Sequence, residues 1–476
     1  MNKKALVVVL GDLARSPRMQ YHCISLAKND YDVTVIANGG GPSSDKACEK
    51  LETNKNIKQK LMPDTVDFKK YLPSLLAYLI RPIWQAILLI IQLLTIPVPD
   101  VIIVQNPPSI PTLPIIYMYA RLVGSRWIID WHNYGFSILN LNLRSDHPLV
   151  RVYKFIEIFF GRLADAGFCV SEAMQTDLKE NFQITYPLCV LYDKPPSHFK
   201  PMTVRKKHEF FLKIKDTIPV FKSDTKDWYH RGHDTPAEHR ETRFTITYRD
   251  PPFHVIPRPN RPAIVLSSTS WTEDEDFDLL LNALRHYDQS VINQFDQDYE
   301  HPNTSDNWLP KLVCVITGKG PLKAHYEKKI EKMNFEHIEI ILPWLSAEDY
   351  CKMVGSCDIG ISLHSSSSGV DLPMKVVDLY GCGIPVLAFK YKAINELVVE
   401  DFYGRTFRDS QDLFLELTRL LKDFYHQDGP HENSEPSPLD RYRKNITRHF
   451  LKSRWETNWK QNAKPLFDRL TTATYC

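Results

Sequence analysis

A lysine in the first turn of a helix is electrostatically misplaced, because the helix dipole disfavours a cation there. The stretch from Ser365 to Val386 holds such a lysine. Four serines and Gly369 lead into Pro373, a good first residue for a helix, and Lys375 then falls in its first turn. The conflict disappears if an anion docks at that terminus, where free N–H groups and Lys375 meet it together. Ser367 and Gly369, in the loop before the helix, are placed to line the same ligand. Asp378 lies three residues after Lys375 on the same face, positioned to accept hydrogen bonds from ribose hydroxyls. A solvated Lys–Asp pair is the plainer alternative. Elsewhere, Ser268, Thr269 and Ser270 follow an apolar run and offer hydroxyl and backbone donors to a phosphate. Gly318-x-Gly320 follows another such run, a weak signal by itself.

These residues need a scaffold, and the pattern supplies one. Strand-like runs Ala5–Leu10, Val33–Ala37, Val101–Val104, Trp127–Asp130, Gly167–Val170 and Leu188–Tyr192 alternate with helical patterns. The alternation stops near Pro195-Pro196, and residues 197–262 are polar and rich in His and Pro, which reads as a linker with a surface insertion. It resumes with Ala263–Ser267, Leu312–Thr317, Ile338–Leu342, Ile359–Leu363 and Pro385–Phe389. Polar stretches Asp288–Pro310 and His426–Pro438 read as loops, and the tail from Leu439 as a long charged helix. The expected fold is α/β, with two Rossmann-like domains facing across a cleft: 1–196, then the linker 197–262, then 263–438, with 439–476 packing back toward the first domain. Ligands of such sheets bind beyond the carboxyl ends of the strands, where the residues above fall.

Composition narrows the function. Lys plus Arg number 59 against 57 acids, which gives no support to a nucleic-acid partner. The nine cysteines are scattered without a C-x-x-C pair, as in a cytosol-facing protein with reduced thiols. No cluster of metal-ligand spacing is apparent, so no structural metal is expected. The first apolar run, Ala5–Leu10, is too short for a signal peptide. Tyr71–Val98 is almost wholly apolar, but Arg81 and Pro82 interrupt it and its uncharged part is short for a spanning helix. The expectation is a helix or hairpin in one leaflet, with Lys69, Lys70 and Arg81 at the headgroups and Trp84 at the interface; a buried core helix is the alternative.

Pro373-x-Lys375-x-x-Asp378 followed by Gly381-x-Gly383-x-Pro385-Val386 resembles the donor-nucleotide motif of GT-B glycosyltransferases. Leu10-Gly11-Asp12-Leu13-Ala14-Arg15-Ser16-Pro17-Arg18-Met19, Gln105-Asn106-Pro107-Pro108 and Ile129-Asp130-Trp131-His132-Asn133-Tyr134-Gly135 precede it in order. So do Ser267 to Phe277 and Ile316 to Leu322. Together they resemble the chitobiosyldiphosphodolichol β-mannosyltransferases of the N-glycan lipid pathway. That resemblance implies an inverting β-1,4 transfer of mannose from GDP-mannose to dolichyl-diphosphate-chitobiose. It implies no further cofactor, and a place on the cytosolic face of the endoplasmic reticulum membrane, among other transferases of the pathway. Relatives usually begin with a hydrophobic anchor before the first strand; here the strand starts at Ala5, so attachment falls to residues 71–98 unless a preceding segment is missing. A retaining α-mannosyltransferase of the same fold, or a non-catalytic membrane scaffold, are the competing readings.

Inverting transfer needs one general base on the acceptor hydroxyl and stabilisation of a leaving diphosphate. His132, in the loop after a front-domain strand and two residues from Asp130, is the candidate base, with Asp130 orienting it. Asp12 and Glu172 are the alternatives. Gly11 allows close backbone approach, and Arg15 and Arg18 suit the acceptor diphosphate, with Asn133 beside the acceptor. The four acids Glu273 to Asp276 are expected to begin a helix, leaving Lys375 as the main charge on the leaving group.

Overall fold

The computed structural model describes residues 2–39, 51, 53–63, 74–223, 241–248, 254–300, 309–422, 424 and 436–472. The expected residues Lys69, Lys70 and Tyr71 lie outside them. The chain divides into two compact units, Met1–Asp193 with Ser366–Leu372 and Trp455–Cys476, and Lys194–Ser365 with Pro373–Arg454. Each is a Rossmann-like domain, so the fold is α/β of the GT-B type.

The first unit is built on a seven-stranded parallel sheet. Its strands are β1 (Lys3–Asp12), β2 (Tyr31–Asn38), β3 (Ile57–Met62), β4 (Val101–Asn106), β5 (Arg126–Trp131), β6 (Ala166–Cys169) and β7 (Leu188–Val190), in the order β3-β2-β1-β4-β5-β6-β7. Leu6 to Val9 of β1 are wholly buried, as continuous apolar runs must be in a sheet covered on both faces. One face is covered by α1 (Pro17–Ala27) and by the tail residues Trp455, Trp459 and Phe467. The other is covered by α2 (Ser74–Leu94), α3 (Thr112–Val123), α5 (Pro148–Gly161) and α6 (Glu172–Glu180), with α4 (Gly135–Asn142) beside α5. Sequence order reverses between β1 and β4, so the loops beyond those strands diverge and leave a crevice.

The second unit carries β10 (Ala263–Ser268), β11 (Leu312–Thr317), β12 (Ile338–Ile341), β13 (Ile359–Ser362), β14 (Val386–Phe389) and β15 (Gly404–Phe407), all parallel, in the order β12-β11-β10-β13-β14-β15. Its reversal lies between β10 and β13. Residues 197–262 are more than a linker. They form α7 (Val204–Ile214) and an antiparallel pair, β8 (Thr245–Tyr248) with β9 (His254–Pro257), around the buried rings of Phe211, Phe221 and Phe244. Apolar runs too short to read as elements still bury three aromatics.

Two further expectations need correction. The loop placed at Asp288–Pro310 is helical as far as Glu300, because α8 runs from Phe277 through Leu284, Tyr287 and Val291, which all face the core. The tail is not one helix: it breaks into short helical segments between Pro438 and Thr472, and from Trp455 onward it belongs to the first unit.

Candidate active site

In the first unit the organising group is Asp130, wholly buried at the end of β5. Arg18 grips it through Nε, 2.9 and 3.1 Å from its two oxygens, and through Nη2 at 2.9 Å. His132 Nε2 lies 3.0 Å and His22 Nε2 3.2 Å from Oδ2. Burial alone would raise the Asp130 carboxyl, yet Arg18 and the two imidazoles hold it well below the usual carboxylate range. A carboxylate only accepts, so the His132 nitrogen facing it carries the proton and Nδ1 keeps the free lone pair. His22 is set in the same way: Trp459 Nε1 donates to its Nδ1 at 3.0 Å, and burial lowers its pKa, keeping it neutral. His132 itself is about one-fifth exposed and its backbone N–H is tied to Asn106 O at the end of β4. An orienting carboxylate and a part-exposed imidazole at a strand end form the arrangement a general base requires.

Arg18 does not fit the acceptor-diphosphate role. It is 3% exposed, and its remaining nitrogen Nη1 donates to Leu191 O and Asp193 Oδ1 at 2.6 and 2.9 Å. A guanidinium so engaged is a structural counter-charge. Arg15 fits better: its side chain is 83% exposed, 3.6 Å from Asp12. A Cβ on Gly11 would meet nothing within 4 Å, so the space above that backbone is open. Asp12 caps the turn at Ala14 N, and Glu172 sits exposed in the first turn of α6. Asn133 uses its amide locally: Oδ1 accepts from Tyr134 N, and Nδ2 donates to Ser367 Oγ at 3.3 Å. Ser367 therefore belongs to this unit and contacts Asn133 and Ser137. Gly369, with φ of 74°, allows the same loop its left-handed turn.

Glu157 escaped the sequence reading. This acid of α5 is wholly buried and receives Asn106 Nδ2, Ser109 Oγ and the N–H groups of Gly135 and Phe136 at 2.6–3.2 Å. Burial pushes its carboxyl up, and those donors pull it back. It ties the loops after β4 and β5 together. The signal was present: a single acid in a helix whose other residues are apolar, aromatic or basic.

In the second unit the centre is Glu275, 3% exposed. Its Oε1 pairs with Lys375, while Oε2 accepts from Thr269 Oγ1 at 2.5 Å and from Ser270 N at 2.9 Å. The Thr269 hydroxyl and Ser270 N–H, expected to face phosphate, are thus committed to a carboxylate. The four acids do not begin the helix either. Glu275 turns inward, Asp274 pairs with His364 Nδ1 at 3.2 Å, and only Asp276 caps α8 by accepting from Asp278 N. Local sequence favoured a helix start; charge pairing across the fold won. The hydrogen bond from His364 also holds Asp274 below the usual range.

Gly318 and Gly320 have a steric reason. A Cβ on either would lie 1.8 Å from Thr269 O or 1.7 Å from Ser270 O, so the loops after β10 and β11 pack backbone to backbone. After α9 (Lys323–Ile330) and α10 (Ala347–Ser356), helix α11 (Met374–Gly381) starts one residue later than expected, with Pro373 at its cap and no side-chain cap hydrogen bond. Lys375 stands 28% exposed in its first turn. Ser268 Oγ accepts from Tyr350 OH at 3.1 Å, and the Tyr350 phenol is pushed up by burial and then by the Asp378 carboxylate. Tyr350 therefore lies near both Ser268 and the part-exposed Asp378. No group of three or more metal-ligating side chains exists among the described residues.

Comparison with known proteins shows the family. Residues 252–434 match the family model of glycosyl transferases group 1. The chitobiosyldiphosphodolichol beta-mannosyltransferase of Pongo abelii is 38% identical over 465 residues, 98% of this chain and 92% of that protein. The chain belongs to this family. It is a glycosyltransferase, a hexosyltransferase by kinship. The UDP-glycosyltransferase TURAN of Arabidopsis thaliana is 36% identical over 478 residues, 98% of each chain. Among solved structures, sucrose-phosphate synthase from Thermosynechococcus elongatus superposes with a TM-score of 0.64 at 11% identity, covering 99% of this chain and all of that one, a likeness of fold alone.

Proposed function

We propose that this chitobiosyldiphosphodolichol β-mannosyltransferase family member transfers mannose from GDP-mannose to dolichyl-diphosphate-chitobiose, forming a β-1,4 linkage with inversion. The observation that carries this reading is the 38% identity held over 98% of the chain with a relative of that name. Within it, His132 Nδ1 takes the proton from the acceptor's sugar hydroxyl while Asp130 holds the ring and the charge it gains. Asp378 accepts from the donor's ribose, and Lys375 meets the leaving diphosphate at the start of α11. Ser268, Gly318 and Gly320 line the donor; Gly11 and Arg15 serve the acceptor. Part of α2 is the membrane attachment, and the site of action is the cytosolic face of the endoplasmic reticulum. None of the residues assigned calls for a metal.

Purified protein in detergent, given GDP-mannose and a chitobiosyl-diphosphate lipid, should release GDP and extend the acceptor by one hexose. The coupling of the new anomeric proton in NMR should report the β configuration; an α product would overturn inversion. Because one relative is named a UDP-glycosyltransferase, UDP-sugars belong in the same assay. Turnover with a UDP-sugar and none with GDP-mannose would refute the donor assignment.

A further inference from the structure

The helices over one face of the first sheet do not end in a polar surface. α2 packs inward through Leu89 and Leu93 and leaves Ile87 and Ile91 about half exposed. Beside it, Leu122 at the end of α3 is 80% exposed, and on α5 Phe155 and Phe159 stack on each other at 67% and 48% exposure. These three helices are successive neighbours, α2 against α3 and α3 against α5. Their outer sides therefore form one continuous apolar face.

Charge on this face has one sign. The sequence of α2, α3 and α5 contains a single acid, Glu157, and that acid is buried. The charged residues that reach solvent are Arg81, Arg121, Arg151 and Lys154. Helix α6, in the same layer, is built the opposite way: its exposed positions include Glu172, Lys179 and Glu180. An apolar outer face is thus a property of three helices and not of the layer.

We infer that the outer face of α2, α3 and α5 seats the protein on an anionic phospholipid leaflet. Exposed Leu and Phe supply the apolar term and the surrounding Arg and Lys the attraction to acidic headgroups; together they make the two signals that stable peripheral binding needs. A second copy of the chain fits worse, because an isologous contact would set basic residues against basic residues with no acid to answer them. No helix among the described residues is long and apolar enough to cross a membrane, so the contact is peripheral as far as they show. Two of the helices concerned start at the proposed catalytic loops: α3 follows the loop after β4, and α4, which packs on α5, begins three residues after His132. A lipid-linked acceptor lying in that leaflet would present its diphosphate at those loops, a step that rests on the function proposed above.

The test is flotation of the full chain with vesicles of phosphatidylcholine, with and without phosphatidylserine. Leu122→Ser/Phe155→Ser/Phe159→Ser leaves α2 intact and should weaken vesicle binding at least about tenfold, since three exposed apolar side chains are removed from the face that enters the leaflet. Arg121→Glu/Arg151→Glu/Lys154→Glu should abolish the preference for phosphatidylserine vesicles, and it decides the matter if the first variant does not fold. Both should keep parental turnover on a short-chain, detergent-soluble acceptor. Parental flotation by both variants overturns the inference. So does a parent that floats with neither vesicle, or a first variant that changes only the oligomeric state. A parent that floats but never turns over refutes the proposed function and leaves the face standing.

Discussion

Asp130→Asn tests the centre of the first unit. The substitution keeps shape but removes the charge that answers Arg18 in a site with both side chains at most 3% exposed. Breaking a buried pair typically costs about 3–5 kcal/mol. Here Arg18 keeps Asp193 and Leu191 O on Nη1, so the expected loss is at the lower end, about 3 kcal/mol. For a unit of this size that is a fall in melting temperature of roughly 6–12 °C. The pH dependence has a defined sign. The folded carboxyl lies well below its ordinary value of 3.8, so its contribution is fully present above that pH and is lost as pH falls through the folded pKa. The gap between parent and variant should therefore narrow in acid. Calorimetric melts from neutral pH down to about pH 3, with turnover measured well below the melting range, make the assay. Turnover should fall no further than in His132→Ala, since the proposed base is still present. A variant melting within about 2 °C of the parent at neutral pH would refute the view that Asp130 organises this end of the sheet.

Three other outcomes follow from the same geometry. His132→Ala should lower turnover by about 10²–10⁴ at saturating substrates with donor affinity unchanged; if Asp12→Ala or Glu172→Ala loses turnover instead, the base is that acid. Asp378→Ala should cost about 1.5–3 kcal/mol of GDP-mannose binding by calorimetry in a folded protein, and unchanged affinity would remove the ribose assignment. Gly318→Ala drives a methyl against Thr269 O and should lower both melting temperature and donor affinity, whereas Gly11→Ala, with open space around it, should melt within about 0.5 kcal/mol of the parent and raise only the acceptor KM.

Pairings close in sequence were legible and distant ones were not. Asp130, at the end of its strand, and His132, just beyond it, are two residues apart, so their proximity was readable from local sequence. Lys375 and Asp378 share a helix face for the same reason. Arg18, however, meets Asp130 across 112 residues, and Glu275 meets Lys375 across 100. No local rule reports either, so Arg18 read as a free phosphate clamp and Glu275 as a helix-starting acid. The glycines were found but for an incomplete reason: Gly318 and Gly320 are small because another loop's backbone lies against them, whatever they do for a nucleotide. The fold itself was readable because buried parallel strands are apolar throughout. The segment 197–262 was not, because its few buried aromatics lie in runs too short to carry a period.

Each cation considered for phosphate binding already faces a carboxylate, and burial decides which one is able to leave it. Arg18 and Asp130 are both sealed from water, and withdrawing the guanidinium would strand a buried charge on each side. Arg15 is mostly solvated beside Asp12, so redirecting it costs little. Lys375 is the intermediate case, a part-exposed ammonium on a flexible stem against a buried Glu275. What makes its release feasible is the other side of the pair. Glu275 keeps the Thr269 hydroxyl and the Ser270 N–H on Oε2 when the lysine turns away, so it is left with partners rather than bare. A diphosphate arriving at the uncapped start of α11 can therefore draw Lys375 toward it without stranding a buried acid. The same logic favours Arg15 over Arg18 for the acceptor-diphosphate role proposed above, and leaves Arg18 as the counter-charge that keeps Asp130 ionised beside His132.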